Sequence, residues 1–86
     1  MREYCCEVVA GDHDVLVAEY SAAKRCAIAQ AATAVADIPA EPETVYTAMV
    51  YREGMTRDLH PYPATEAKAD TPQVAVAKLM ATTKGT

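Results

Sequence analysis

Two runs of alternating residues near the start of the chain constrain its fold more than any other feature. Residues 3–10 and residues 15–20 both alternate with a period of two, which is typical of strands whose two faces meet different surroundings. Gly11 lies between the runs and can adopt the positive φ that a tight turn requires. The pattern therefore predicts a β-hairpin.

The register of this hairpin is predicted by keeping the apolar side chains together, because a slip of one residue moves every side chain to the other face. Pairing Val8 with Leu16 and Tyr4 with Tyr20 places these four residues toward the core, and Cys6 then opposes Ala18. The outward face then receives Glu3, Cys5, Glu7, Val9, Val15, Val17 and Glu19.

Two helices are predicted, one after the hairpin and one near the end of the chain. Ser21 is a good N-cap for a helix over residues 22–36, and Thr71 followed by Pro72 is a good start for the second helix. The apolar stripe predicted for the first helix is Ile28, Ala31, Ala32 and Val35. The corresponding set for the second helix is Val76, Leu79, Met80 and Thr83.

Two more strands are predicted between the helices. Residues 44–52 are rich in strand-forming side chains, and residues 55–60 form a weaker run that suits an edge strand. Residues 64–70 are alanine-rich and polar, and we expect a loop there. In the third strand we expect Val45, Met49 and Tyr51 to face the core, with Tyr46, Ala48, Val50 and Arg52 facing out.

The 86 residues therefore predict one α+β domain over residues 1–86 with the order ββαββα. A right-handed crossover between strands two and three leaves room for strand one between them, so the expected sheet order is 2-1-3-4, antiparallel. Both helices should lie on one face, and the other face should be open. The chain has no Phe or Trp, so its core must be thin.

The negative charge of the chain is concentrated in the hairpin. Up to Tyr20 there are five acidic residues and one basic residue, which accounts for the whole formal net charge of −4, and the remainder carries seven of each. Such an asymmetry attracts basic surfaces and repels nucleic acid. Ordinary solubilising acids on a solvated face are the simpler interpretation.

The predicted open face combines these acids with apolar residues and a tyrosine, as protein interfaces do. We therefore expect a non-enzymatic protein that binds a protein partner with a basic surface; a homodimer is another use of the same face. The predicted contact residues are Glu3, Glu7, Asp12, Asp14, Glu19, Tyr46 and Arg52.

Two kinds of macromolecular binding are compatible with this pattern. Small acidic inhibitors of the phage type, including some that block CRISPR effectors, act on nucleic-acid-handling proteins, and the analogy here is one of size and charge. The alternative is a small RNA- or DNA-binding module that uses the open sheet face. It ranks second because the basic residues are scattered.

Catalytic, metal and cofactor motifs do not stand out, and we expect no enzyme activity, metal or cofactor. Asp12, His13 and Asp14 could bind a metal only weakly, since a metal site needs three or four converging ligands. Cys6 should be a core residue and Cys26 exposed. A thiol or metal enzyme remains the third alternative.

The compartment is predicted from what the chain lacks. There is no run of about 18 apolar residues that could span a membrane, and the first residues do not have the pattern of a signal peptide. Three cysteines, an odd number, argue against a disulfide framework. We expect a cytoplasmic protein that does not contact a membrane.

Overall fold

The computed structural model describes residues 4–12, 14–52 and 65–83. Its elements follow the predicted order ββαββα. Their bounds are β1 Tyr4–Ala10, β2 Asp14–Ser21, α1 Lys24–Val35, β3 Tyr46–Arg52, β4 Thr65–Ala69 and α2 Pro72–Thr82.

The four strands form one antiparallel sheet in the order β2-β1-β3-β4, as predicted. Both helices pack on one face of this sheet, which we call the inner face; the opposite side is the outer face. In the described part of the chain, β2 and β4 are therefore the two edge strands. The prediction of a single small α+β fold is confirmed.

The core between helices and sheet is thin and relies on small side chains. Ala27 and Ala31 of α1 and Ala75 of α2 are completely buried, which lets the helices approach the sheet closely. The side-chain amide of Gln73 donates hydrogen bonds to the carbonyl oxygens of Val35 and Ile38, at 2.6 and 2.7 Å. These bonds satisfy carbonyl groups at the end of α1 and join it to α2.

A β-bulge makes the predicted hairpin register wrong. Val9 pairs with Val15, as expected, but Val8 pairs with Val17, and Leu16 is the extra residue. Beyond the bulge every β2 side chain therefore lies on the face opposite to the predicted one. Val17 packs against the core, whereas Ala18 and Tyr20 lie on the outer face.

The faces of β3 are also the reverse of the prediction. Tyr46, Ala48 and Val50 pair with inner-face residues of β1 and are buried in the core, whereas Met49 and Tyr51 lie on the outer face. Val45 precedes the strand and is half exposed. All residues from Tyr46 to Val50 are buried, whichever face they lie on, so alternation alone could not determine the orientation of this strand.

The fourth strand lies where we predicted a loop. Thr65–Ala69 pairs with β3, placing Ala67 opposite Ala48 and Ala69 opposite Tyr46. The small alanine side chains suit this edge of the core, and pairing overrides their weak strand propensity. The strand predicted at residues 55–60 lies outside the described residues.

The helix starts are predicted correctly in one case of two. The Thr71 side chain accepts a hydrogen bond from the Val74 amide at 3.0 Å, and Pro72 begins α2. Ser21, in contrast, is the last residue of β2, and Ala23 is the N-cap of α1 without a side-chain cap.

The predicted apolar stripes are largely confirmed. In α2, Val76, Leu79 and Thr83 are buried and Met80 packs against the core. In α1 the buried set is Ala27, Ile28, Ala31 and Val35, so Ala32, which is exposed, was wrongly included.

Neither α1 nor α2, the helices of the described segments, is long and apolar enough to cross a membrane.

Because of the bulge, truncating Val17 and truncating Val15 should lower the stability of the protein by different amounts. Val17→Ala should lower the free energy of unfolding by about 1 to 2 kcal/mol, because it removes two methyl groups that contact the core. Val15→Ala is the matched control, with a side chain 46% exposed, and should cost less than about 0.5 kcal/mol. Urea denaturation measures both. Equally small losses would contradict the bulged register.

Candidate interaction surface

The acidic residues of the hairpin do not share one face. Glu7 lies on the outer face of β1, paired with Ala18 and Met49. Glu19 pairs with Cys6 and so lies on the inner face, which corrects the prediction that both glutamates face outward. Glu3 lies outside the described residues.

Among the described acids of the hairpin, Asp12 and Asp14 are exposed, whereas Glu7 and Glu19 are half-buried. Asp12 lies in the turn beside Gly11, whose φ of 66° confirms the predicted positive φ. Asp14 begins β2 opposite Ala10. The two carboxylates therefore lie at the same end of the hairpin, about the turn.

Tyr46 and Arg52 do not lie on the predicted outer surface. Tyr46 is 2% exposed, and its hydroxyl accepts a hydrogen bond from the Glu41 amide at 2.8 Å. Arg52 pairs with Tyr4 on the inner side of the sheet, and its guanidinium carbon lies 5.9 Å from the centre of the Tyr4 ring. Both residues were predicted to lie on the contact surface because the predicted faces of β3 are the reverse of the observed ones.

The centre of the outer face is buried, contrary to the prediction of an open face. Cys5 and Val9 of β1 and Thr47 and Met49 of β3 are all buried in this structure. The apolar residues that remain exposed on the outer face belong to β2, where Val15 and Tyr20 are 46% and 38% exposed. The accessible apolar part of the outer face is therefore its β2 edge, whereas the β4 edge exposes the charged residues Glu66 and Lys68.

A polar group lies among these buried outer-face residues. One carboxylate oxygen of Glu7 is buried, and the Tyr51 side chain hydrogen-bonds with Glu7 and with Cys5. Burial, followed by these hydrogen bonds and the nearby negative charge, raises the pKa of Tyr51 well above its usual range. The phenol therefore stays protonated at neutral pH.

The three cysteines differ in burial: Cys5 and Cys6 are buried and Cys26 is exposed. Burial raises the pKa of the Cys6 thiol to about 12, and nearby Cys5, Glu7 and Glu19 add to the effect; a raised pKa makes a thiol a poor nucleophile. Cys26 is exposed, as predicted. Across residues 4–12, 14–52 and 65–83, no three acids, cysteines or histidines converge as metal ligands. His13 and His60 lie outside these ranges.

A cavity of about 270 Å³ opens at the turn end of the hairpin. Its lining includes Asp14 and Leu16 of β2, Tyr46 of β3, and Ile38 and Glu41 of the connection between α1 and β3. The lining thus combines two acidic residues with apolar ones, a composition suited to a side chain with an apolar stem and a cationic end.

Two hydrogen bonds hold the walls of this cavity together. The Gly11 amide of the hairpin turn donates to the Val45 carbonyl oxygen at 2.9 Å. The Glu41 amide donates to the Tyr46 hydroxyl, so the connection is attached to a buried ring. The cavity is therefore formed before anything binds to it.

The edge strand β2 runs directly from this cavity. Its eight residues include four consecutive apolar residues, Val15–Ala18, between Asp14 and Glu19. Leu16 is 36% exposed at the bulge. An edge strand of this kind presents hydrogen-bonding groups and apolar side chains together.

No protein-family model, curated protein or solved structure matches this chain.

Sequence patterns missed two residues of this surface, Leu16 and Glu41. Leu16 was assigned to the core as a regular strand residue, and only four consecutive apolar residues hint that alternation breaks there. Glu41 lies between Pro39 and Pro42 in a connection without periodicity. Its presence in the same cavity lining as Asp14 depends on how that connection crosses the end of the sheet.

The raised pKa values predict a loss of stability at alkaline pH. Each group keeps its proton in the folded protein but releases it at its ordinary pKa when unfolded, near 9 for Cys6 and 10 for Tyr51. The stabilisation is therefore complete below these values and is lost as pH rises. Between pH 9 and 11, Cys6 should lower the free energy of unfolding by up to about 1.4 kcal/mol per pH unit.

Two variants separate these contributions in urea denaturation at pH 7 to 11. Cys6→Ala should remove the loss that begins near pH 9, and Tyr51→Phe should reduce the slope above pH 10. If the free energy of unfolding of both variants depends on pH as it does in the parent protein, the loss of stability does not come from Cys6 and Tyr51.

Proposed function

We propose that this chain is a non-enzymatic protein that binds a protein partner with a basic surface through its acidic hairpin. One observation carries the proposal. The described hairpin, residues 4–12 and 14–21, contains four acids and no lysine or arginine. No other segment of comparable length has such an imbalance of charge.

The hairpin acids would attract the partner mainly through long-range electrostatics, because they are distributed around the hairpin and do not form one contact patch. A surface whose charges are all negative raises the association rate with a positively charged surface by roughly 10- to 1000-fold, and salt screens the effect. The apolar residues of β2 then supply contacts at short range. This combination favours a salt-sensitive complex with a desolvated apolar centre.

A basic partner surface is typical of proteins that hold nucleic acid. An acidic protein bound there competes with phosphate groups for the same lysines and arginines. Inhibition of a nucleic-acid-handling protein, as small phage-type inhibitors of CRISPR effectors do, is the biological role that we propose. Cytoplasmic residence and a one-to-one complex are consistent with this role.

Reversal of charge at the hairpin turn tests the proposal. Asp12→Lys with Asp14→Lys should weaken binding to the captured partner at least about tenfold at low salt. Both carboxylates are exposed at the hairpin turn, so their reversal replaces attraction of a basic surface by repulsion. The partner is obtained by affinity purification of the tagged chain from the cells that produce it. Binding of the purified pair is then measured at two salt concentrations.

A matched reversal far from the hairpin is the control. Asp37→Lys with Glu66→Lys makes the same change of net charge at exposed residues after α1 and on β4. It should weaken binding much less than the hairpin variant. Equal effects of the two variants, or a partner whose binding does not respond to salt, would contradict a role for the acidic hairpin.

Nucleic-acid binding is the second candidate, supported by one cluster. The Lys24 ammonium nitrogen lies 5.7 Å from the centre of the Tyr4 ring, and the Arg52 guanidinium lies near the same ring. Two cations beside an aromatic ring could contact a phosphate and a base. This candidate predicts retention on single-stranded DNA at low salt that Lys24→Gln with Arg52→Gln abolishes. The basic-partner proposal predicts no retention.

A further inference from the structure

We propose that the partner adds an extended segment to the sheet as a fifth strand beside β2 and places one lysine or arginine side chain in the cavity between Asp14 and Glu41. The inference rests on the proposed function and specifies how the acidic hairpin would hold its partner. Its basis is the continuity of an apolar edge strand with a preformed cavity lined by carboxylates.

The edge at β2 has the geometry that strand addition needs. It is the terminal strand of the described sheet, and it is eight residues long. A terminal strand offers a row of backbone N–H and C=O groups to an incoming strand, while alternate side chains provide specificity. Residues 15–18 carry no charge that would oppose such pairing.

The other edge of the same sheet is protected, which provides an internal comparison. β4 has five residues, and Glu66 and Lys68 project from its outer face. The Lys68 carbonyl oxygen also accepts a hydrogen bond from the Lys78 side chain at 3.3 Å. Short length and charged side chains are the usual protection of an edge strand. β2 has the less protected edge.

The bulge at Leu16 connects the edge to the cavity. It interrupts the regular strand, so we expect a short added segment that pairs along residues 15–19. Leu16 and Asp14 belong both to β2 and to the lining of the cavity. A side chain at the corresponding end of the added segment would therefore reach the cavity without a change in the direction of the chain.

Charge determines what the cavity would accept. Asp14 and Glu41 line it, and its described lining contains no base. An arginine or lysine would bury its stem against Leu16 and Ile38 and direct its charge toward the carboxylates. An acidic or purely apolar side chain would leave the negative charges of the two carboxylates unneutralised.

Charge also argues against a second copy of this chain as the added strand. Self-pairing of β2 would bring together two hairpins that each carry four described acids and no lysine or arginine. The negative charges of the two copies would oppose association, whereas a basic segment from another protein would be attracted by the hairpin acids. The proposed occupant is therefore a basic, extended segment of a different protein.

Peptide titration of the isotope-labelled full chain, followed by NMR, tests this mode of binding. The probe is a blocked five-residue peptide in which valine and arginine alternate, and the reference peptide has glutamate in place of arginine. The arginine peptide should cause saturable amide shifts along residues 15–19 and slow the hydrogen exchange of alternate amides there at least tenfold. The glutamate peptide should cause neither effect.

Paired variants test the cavity. Asp14→Asn with Glu41→Gln should weaken binding of the arginine peptide at least tenfold. The matched control, Asp37→Asn with Glu43→Gln, removes two charges from exposed residues of the segment between α1 and β3, but neither residue lines this cavity. It should weaken binding less than threefold. Equal effects of the two pairs would overturn the cavity assignment.

The remaining outcomes separate this inference from the proposed function. A basic partner that is captured and lost on charge reversal, with no protection of β2 amides by the arginine peptide, would overturn strand addition alone. Equal binding of the arginine and glutamate peptides, together with a partner insensitive to charge reversal, would overturn both. A dimer in sedimentation with β2 amides already protected would show that a second copy occupies the edge.

Discussion

The extra residue in β2 determines what the hairpin presents on each side. Strand side chains alternate with a period of two, so one added residue moves all those beyond it to the other face. Because Leu16 has no partner in β1, Val17 packs against the core and Tyr20 lies outside. The same shift separates Glu7 from Glu19 and leaves apolar side chains at the edge strand.

The sheet is buried at its centre on both sides, and this limits where binding can occur. The β1 residues Cys6 and Val8 contact the helices, while Cys5 and Val9 are buried on the outer face. With such a thin core, small shifts in helix position would expose apolar area, and the bonds from Gln73 to the end of α1 restrict them. The accessible features are therefore at the margins of the sheet.

Electrostatics and geometry converge at one margin, the turn end of the hairpin. The turn is attached to the connection before β3 through Gly11 and Val45, and Glu41 of that connection and Asp14 of β2 line the same cavity. Long-range attraction by the hairpin acids and short-range contact with β2 would then act on the same partner. A small domain can bind in this way without a deep pocket, since an edge strand supplies backbone hydrogen bonds.

Sequence alone determined the types of element, their order, the position of β1 in the sheet, and the start of α2, because these depend on local periodicity, capping and the handedness of crossovers. Tertiary structure alone decided the faces of β2 and β3, since consecutive apolar residues make both orientations compatible with the pattern. It also made a strand of alanine-rich residues 65–69, through pairing with β3. The cavity between Asp14 and Glu41 joins residues far apart in the chain, and no local pattern records such a contact.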